Sequence, residues 1–259
     1  FSEIAALQEH EGEQRLMHNV AKVITSLGTF DEDDQERIRK CLSIIIGGQI
    51  LDLQRFGSAN ETDSIGALKN SQELDDYAYR VAGSVGEFWT SMTLAHQISF
   101  NQEKETEMFE LGVRFGKALQ MINILRDIPE DLRFGRCYIP MDSLDKEGLK
   151  PTDLIDQNNM DKFQSIFDKN LDIASSHLDA ATQYIEMLPY SQFRLRAACM
   201  LPVLIGQRTL TLLRKSNVLN ESNRVKVLRP EIKRLRNQTI RALVIPGGCQ
   251  RLLRKNRDI

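Results

Sequence analysis

The sequence predicts an all-α fold, and three observations carry the prediction. Apolar residues recur at spacings of three and four along most of the 259 residues. Gly (15) and Pro (7) are sparse, which argues against a turn-rich β sandwich. No alternating apolar–polar run of strand length interrupts the helical period. A hydrophobic content of 41% is enough for a sizeable core and excludes a disordered chain.

Taken in order, the period predicts helices over 11–27, 34–57, 72–99, 104–131, 160–186, 190–216 and 227–244. Thr29 to Asp34 reads as a loop and helix start, because acids favour a first turn. Ser58 to Ser64 is a polar connection. Arg133 to Asp153, with FGRCYIP and EGLKPTD, has turn chemistry and reads as a long irregular loop. Asn217 to Asn223 is a further break. The expectation is one domain over 1–259, mostly antiparallel helices around a central cleft.

The net charge of −2 hides an uneven distribution. Arg224–Ile259 holds eleven Lys and Arg against two acids, Glu231 and Asp258, so the body is acidic and the tail basic. Such a tail suits an anionic ligand or membrane surface; a solvated surface tail is the plain alternative. Interleaved aromatics are lacking, so nucleic acid is not an expected partner. Four dispersed cysteines (Cys41, Cys137, Cys199, Cys249) and four dispersed histidines (His10, His18, His96, His177) offer no zinc-ligand spacing. A reduced, cytoplasmic setting is expected, with no secretory signal and no apolar stretch approaching the ~20 residues that span a bilayer.

The most informative segment is QMINILRDIPEDLRFGRCYIP. On a helical wheel Gly112, Gly116, Gln120, Asn123, Asp127, Glu130 and Asp131 fall within an arc of about 100°. Leu111, Phe115, Ala118, Ile122 and Leu125 make the opposite, apolar stripe. Carboxylates four residues apart point the same way and repel unless a cation lies between them. A hard ion such as Mg²⁺ takes one or two carboxylates and completes its shell with water and phosphate oxygens, so a diphosphate is the expected ligand. Arg126, Arg133 and Arg136 flank the acids as phosphate contacts. The plain alternative is an acidic helix end with Arg126 and Glu130 as an i,i+4 pair.

DDYAYRVAGSVGEFW places Gly83 and Gly86 inside a helix, each costing roughly 0.8–1 kcal/mol against Ala. Close packing or close ligand approach would account for that. Tyr77 heads a stripe with Val81, Ser84 and Phe88, and reads either as a core aromatic or as a residue that orients a proton or faces a cation. In IIIGGQILDLQRF, Asp52 shares a face with Ile45, Gly48, Gln49 and Phe56. It is a cleft-wall acid or a lone satisfied one.

In this order, GQILDLQRF, YRVAGSVG and NILRDIPEDLRFGRCYIP resemble the squalene/phytoene synthase family of head-to-head prenyl transferases, over most of the chain. The resemblance implies an all-α terpenoid-synthase fold and Mg²⁺-dependent use of isoprenyl diphosphates. It implies that Asp127 and Asp131, with Glu130 alongside, hold Mg²⁺, and that Gln120, Asn123 and Arg126 shape the diphosphate and metal site. Tyr77 matches the family tyrosine assigned to proton handling or cation control. VKVLR looks like the basic flap, so Lys226 and Arg229 would touch diphosphate. The family's first aspartate-rich motif is not found; Asp31 to Asp34 lie too close to the later motifs. The expectation is that it precedes Phe1.

The activity that the resemblance implies is that of a squalene synthase, condensing two farnesyl diphosphates through a cyclopropyl diphosphate, with NADPH supplying the closing hydride. The rival ending is phytoene or dehydrosqualene synthesis without hydride. A different class is a non-catalytic member acting in protein assembly. The basic tail, with Arg251, Arg254, Lys255 and Arg257 near Leu252 and Leu253, would rest peripherally on the inner face of an anionic membrane.

Overall fold

The computed structural model describes residues 2–57 and 65–257. The polar connection read over Ser58 to Ser64 lies outside the described residues, as do Asp258 and Ile259 of the tail and the side chain of Arg257. Among the described residues extended structure is confined to two two-residue strands, so the all-α fold class stands. None of these helices is long and apolar enough to cross a membrane. The chain divides into two compact units, Phe1–Ser43 and Ile44–Ile259.

The first unit holds α1 (Ser2–Ala6), α2 (Glu11–Ser26) and the start of α3 (Glu32–Phe56). The acids read as a loop and helix start are the entry to α3: the Asp31 carboxylate accepts from Asp34 N at 2.8 Å, and Glu32 to Asp34 form its first turn.

The second unit continues α3. It adds α4 (Ser71–Ala78), a π-helical turn (Tyr79–Gly83), α5 (Ser84–His96), α6 (Gln102–Arg126) and α7 (Ile128–Arg133). It then adds α8 (Met141–Lys146), α9 (Met160–Met187), α10 (Phe193–Leu213), α11 (Arg229–Leu243) and α12 (Gly248–Arg257). Asn70 and Asn101 cap α4 and α6 through their side-chain oxygens. The core lies where α6 meets α9 and α10. Leu111, Ala118, Ile122 and Leu125, the expected stripe, are buried with Met108 and Met121. Phe163, Phe167, Leu171, Leu178 and Ile185 face them from α9. Arg196 is buried too, and its guanidinium donates to Ile185 O and Leu188 O at the C-terminal end of α9.

Three expectations change. The helix expected over 104–131 ends at Arg126. Asp127 has φ −99° and ψ 11°, and α7 begins with Pro129 in its first turn, since proline has no N–H to bond the carbonyl of Leu125. The helix expected over 72–99 contains the π-helical turn, whose extra residue rotates the rest of the helix by about 100°. The loop after Arg133 is structured: β2 (Arg136–Cys137) pairs in parallel with β1 (Gly66–Ala67), and Gly135 enters it with φ 72°. The end of the tail is not simply a solvated surface segment. Leu253 and Cys249 of α12 are 1% exposed, and Gln207 Nε2 donates to Leu253 O.

The glycines of α5 and α6 are spent on packing. A Cβ on Gly86 would lie 1.9 Å from Gly112 O, and one on Gly116 1.9 Å from Ala82 O. The Cβ positions of Gly112 and Gly116 are therefore taken up by neighbouring atoms. Helix propensity alone would make Gly116→Ala stabilising by about 1 kcal/mol, but overpacking of this kind costs about 1–3 kcal/mol or more. Gly116→Ala is expected to lower stability in urea unfolding, and an increase would mean the two backbones do not touch.

His177 gives a second expectation. Burial first, then the charges of Arg114 and Lys117, against the smaller pull of Asp75, hold its imidazole down at about 4. Arg114 Nε donates to His177 Nδ1 at 3.3 Å. The unfolded ring takes up a proton below about pH 6.5 and the folded one only near 4, so stability falls as pH drops through that window. Between pH 7 and 4.5, His177→Gln should lose about 1–2 kcal/mol less stability than the parent. Equal losses would refute the assignment.

Candidate active site

Two cavities of opposite character lie along α6. The first, of about 310 Å³, is apolar. Ala82, Val85 and Trp89 line one wall, Phe115 and Leu119 another, and Ala198, Cys199 and Pro202 of α10 a third. Gly86, Gly112 and Gly116 add backbone with no side chain. Pro202 removes the helical bond to Ala198 O, so α10 runs on through the cavity wall with one backbone bond missing there. The π-helical turn decides which residues of α5 arrive there: Val85 and Trp89, rather than the expected Val81, Ser84 and Phe88 stripe.

The second, a polar crevice of about 100 Å³, is lined by Arg126, Asp127, Glu130, Arg133, Glu221 and Arg224, among others. From Leu119 to Asp127 is eight residues, roughly 12 Å along the axis. Arg126 grips Asp127 from the adjacent position, Nε to Oδ1 at 2.9 Å and Nη2 to Oδ2 at 2.6 Å. Arg224 donates to Asp127 Oδ1 at 2.7 Å and pairs with Glu130 Oε2 at 2.9 Å. Burial works to raise the Asp127 pKa, but these two guanidinium groups outweigh it and hold the carboxyl below its ordinary value. Asp131 has the opposite fate. Burial, and then the charge of Asp127, push it up to about 7 in spite of Arg136.

A third cluster adjoins Asp131 electrostatically. Tyr77 stacks on Tyr138, ring centroids 4.4 Å apart at 24°. The Tyr138 hydroxyl donates to Asp52 Oδ2 at 3.0 Å, and Arg136 Nη1 approaches the same oxygen at 3.3 Å. Asp52 is 8% exposed, and its Oδ1 is buried with no hydrogen-bond partner. Burial raises its pKa against the bond from Tyr138 and the charges of Arg136 and Arg55. Burial likewise raises both tyrosines, so Tyr77 and Tyr138 are neutral phenols at neutral pH.

The structure thus gathers Asp52, Tyr77, Arg126, Asp127, Glu130, Asp131 and Arg136. Gln120 is half-buried and Asn123 exposed on the same helix, and neither side chain bonds to the acids among the described residues. Lys226 and Arg229 stand exposed and pair with no acid among the described residues. Arg133 turns to Glu221, Nε to Oε1 at 3.4 Å. Two residues were missed. Tyr138 lies two after Arg136 in an extended segment and so shares its face, a signal that was available. Arg224 is 97 positions from Asp127, and nothing local marks it.

Asp127, Glu130 and Asp131 are the residues that could hold a metal. Among the described residues no three such side chains are gathered as ligands around one point. The donor set still fits a hard divalent cation, which needs only one or two carboxylates and completes its shell from water and phosphate. Asp131 makes no side-chain hydrogen bond among the described residues, and the pull of Arg136 on its charge is outweighed by burial and the charge of Asp127.

A model of the squalene/phytoene synthase family matches residues 2–231. A bifunctional lycopene cyclase/phytoene synthase of Neurospora crassa is 40% identical over 96 residues, 36% of this chain and 16% of that protein. A 15-cis-phytoene synthase of Synechocystis is 30% identical over 170 residues, 64% of this chain and 46% of that protein. The chain spans less than half the length of these relatives. Among solved structures, ligand-bound TcSQS superposes with a TM-score of 0.76 at 18% identity, covering 94% of this chain and 66% of its own. A ligand-bound dehydrosqualene synthase gives 0.61 at 20%, covering 78% and 64%.

Tyr138→Phe tests the third cluster. Loss of the hydroxyl removes a contribution that lowers the Asp52 pKa, so the already raised pKa climbs further. A raised carboxylate is destabilising above its folded pKa and is relieved as pH falls through it. The variant should lose about 1–3 kcal/mol at pH 7 and less near pH 4. A loss independent of pH would show that Asp52 does not depend on Tyr138.

Proposed function

Since the chain belongs to the squalene/phytoene synthase family, we propose that it joins two isoprenyl diphosphates head to head and ends without hydride, as a phytoene or dehydrosqualene synthase does. One observation carries this: an apolar cavity of about 310 Å³ and an acid–arginine crevice share the helix α6. An isoprenyl chain needs the first, and a departing diphosphate needs the second. The relatives at 30–40% identity, named as phytoene synthases, support the hydride-free ending.

Mg²⁺, held by Asp127 and Asp131 with Glu130 alongside, would neutralise charge on the departing diphosphate. Arg126, Arg136 and Arg224 bring guanidinium groups to the site, of which Arg224 is the most exposed and the freest to turn to phosphate oxygens. When the C–O bond of one substrate breaks, the electron pair leaves with the diphosphate. The 2,3-double bond of the second then attacks the allylic cation, and loss of one proton closes the cyclopropane; a second ionisation releases the other diphosphate, and rearrangement with loss of a further proton gives the hydrocarbon. The cavity walls are mostly apolar, so they offer little that could quench a cation and give water few partners. Tyr77, a neutral phenol, orients a proton or presents its ring face to positive charge rather than acting as a phenolate. Its stack on Tyr138 fixes the ring, and Asp52 fixes Tyr138.

The second reading is the squalene ending from farnesyl diphosphate. It requires NADPH, to which no residue of this chain is assigned. For the basic tail, exposed Ile240, Val244 and Ile245 beside Arg241 and Arg251 support peripheral contact with an anionic membrane. Leu252 and Leu253 do not, because they pack into the core.

Incubating the full chain with Mg²⁺ and farnesyl or geranylgeranyl diphosphate, with and without NADPH, tests the proposal. A C30 or C40 triene-cored hydrocarbon regardless of NADPH is expected. Squalene formed only with NADPH selects the second reading, and no hydrocarbon from either substrate sinks both in favour of a non-catalytic role in protein assembly. Asp127→Ala should lower turnover roughly 10²-fold or more with the helical content unchanged.

A further inference from the structure

We propose that Arg224 is a resident counter-ion of the carboxylate site: it competes with a divalent cation for Asp127 and Glu130, and it passes to phosphate oxygens when a diphosphate arrives. The inference rests on the proposed metal and diphosphate site and adds how that site is loaded.

One guanidinium spans two carboxylates, at 2.7 Å from Asp127 Oδ1 and 2.9 Å from Glu130 Oε2. The two arginines on Asp127 differ in anchorage. Arg126 is the adjacent residue at the end of α6 and 29% exposed. Arg224 reaches in from the non-helical stretch between the short turn Glu221–Asn223 and α11, and its side chain is 55% exposed. An ion pair with so exposed a partner contributes little to folding, so its release is cheap. While it persists, the two acids are neutralised and less available to a metal.

The fork of a guanidinium fits phosphate as well as it fits carboxylate. Arg224 therefore has two alternative partners inside one crevice. A cation arriving alone must displace it into solvent. A cation arriving with a diphosphate displaces it onto phosphate, so its hydrogen bonds are exchanged rather than lost. Metal and diphosphate then bind cooperatively, and the coupling is reciprocal. Arg126 cannot serve in this way while it remains clamped on its own neighbour, and Arg133 is paired with Glu221.

The test is Mn²⁺ titration of the full chain by electron paramagnetic resonance, with and without inorganic pyrophosphate, in wild type, Arg224→Gln and Arg133→Gln. Without pyrophosphate, Arg224→Gln should bind Mn²⁺ about three- to tenfold tighter than wild type. The gain in Mn²⁺ affinity produced by pyrophosphate should shrink by a similar factor. Arg133→Gln, which removes a charge from the same crevice without touching either carboxylate, should leave the affinity for Mn²⁺ alone near wild type. Unchanged or weaker Mn²⁺ binding in Arg224→Gln overturns the proposal, as does an undiminished pyrophosphate effect. Equal tightening in Arg133→Gln overturns it too, because summed charge rather than this contact would then be the cause. Hydrocarbon formation is not read in this experiment, so its outcome is separable from that of the condensation assay.

Discussion

The close crossing of α5 and α6 is the constraint on which the rest of the second unit depends. Gly86 meets Gly112, and Gly116 meets Ala82, at distances no Cβ could share. The crossing brings two polypeptide backbones together, where side chains would otherwise hold helices 8–10 Å apart. It holds the segment that follows Tyr77 against the helix whose C-terminal end leads into Asp127. It also leaves the bordering cavity with walls of backbone, Phe115, Leu119 and Trp89 instead of a filled core.

Within the site, two carboxylates four residues apart have opposite electrostatics. Asp127 is clasped by two arginines and stays ionised. Asp131 is buried beside that charge and is pushed up to about 7. The break at Asp127 is part of the cause: Arg126 and Asp127 become a closed pair at the end of α6, while Asp131 belongs to a separate short helix. The site is thus unevenly neutralised, with positive charge in excess on one acid and deficient on the other.

Much of this was legible in the sequence, for local reasons. The apolar stripe of α6 and the acids at its end follow from periodicity, which needs only neighbouring residues. Tyr77 and Asp52 were legible as candidates by residue type and by family resemblance, but their meeting through Tyr138 was not, since 86 positions separate Tyr138 from Asp52. Arg224 is a clearer case: its partner lies on another element, and charge counting assigned it to a general basic tail. The wheel over 72–99 failed because one turn changes period, and the wheel over 104–131 failed past Arg126 because Pro129 ends the bonding that a wheel assumes. The helical glycines were read as marking close packing or close ligand approach. Whether backbone or ligand filled the space depended on a second helix that no single-helix projection contains.

The π-helical turn over Tyr79–Gly83 has a consequence for how this chain can drift over evolutionary time. Removing one residue there would restore an unbroken helix and improve its local hydrogen bonding. It would also swing Val85 and Trp89 through about 100°, away from the hollow they enclose, and carry Gly86 off its crossing with Gly112. Selection acting on the enclosed volume would therefore tolerate many changes of residue in this stretch and refuse a change in its length.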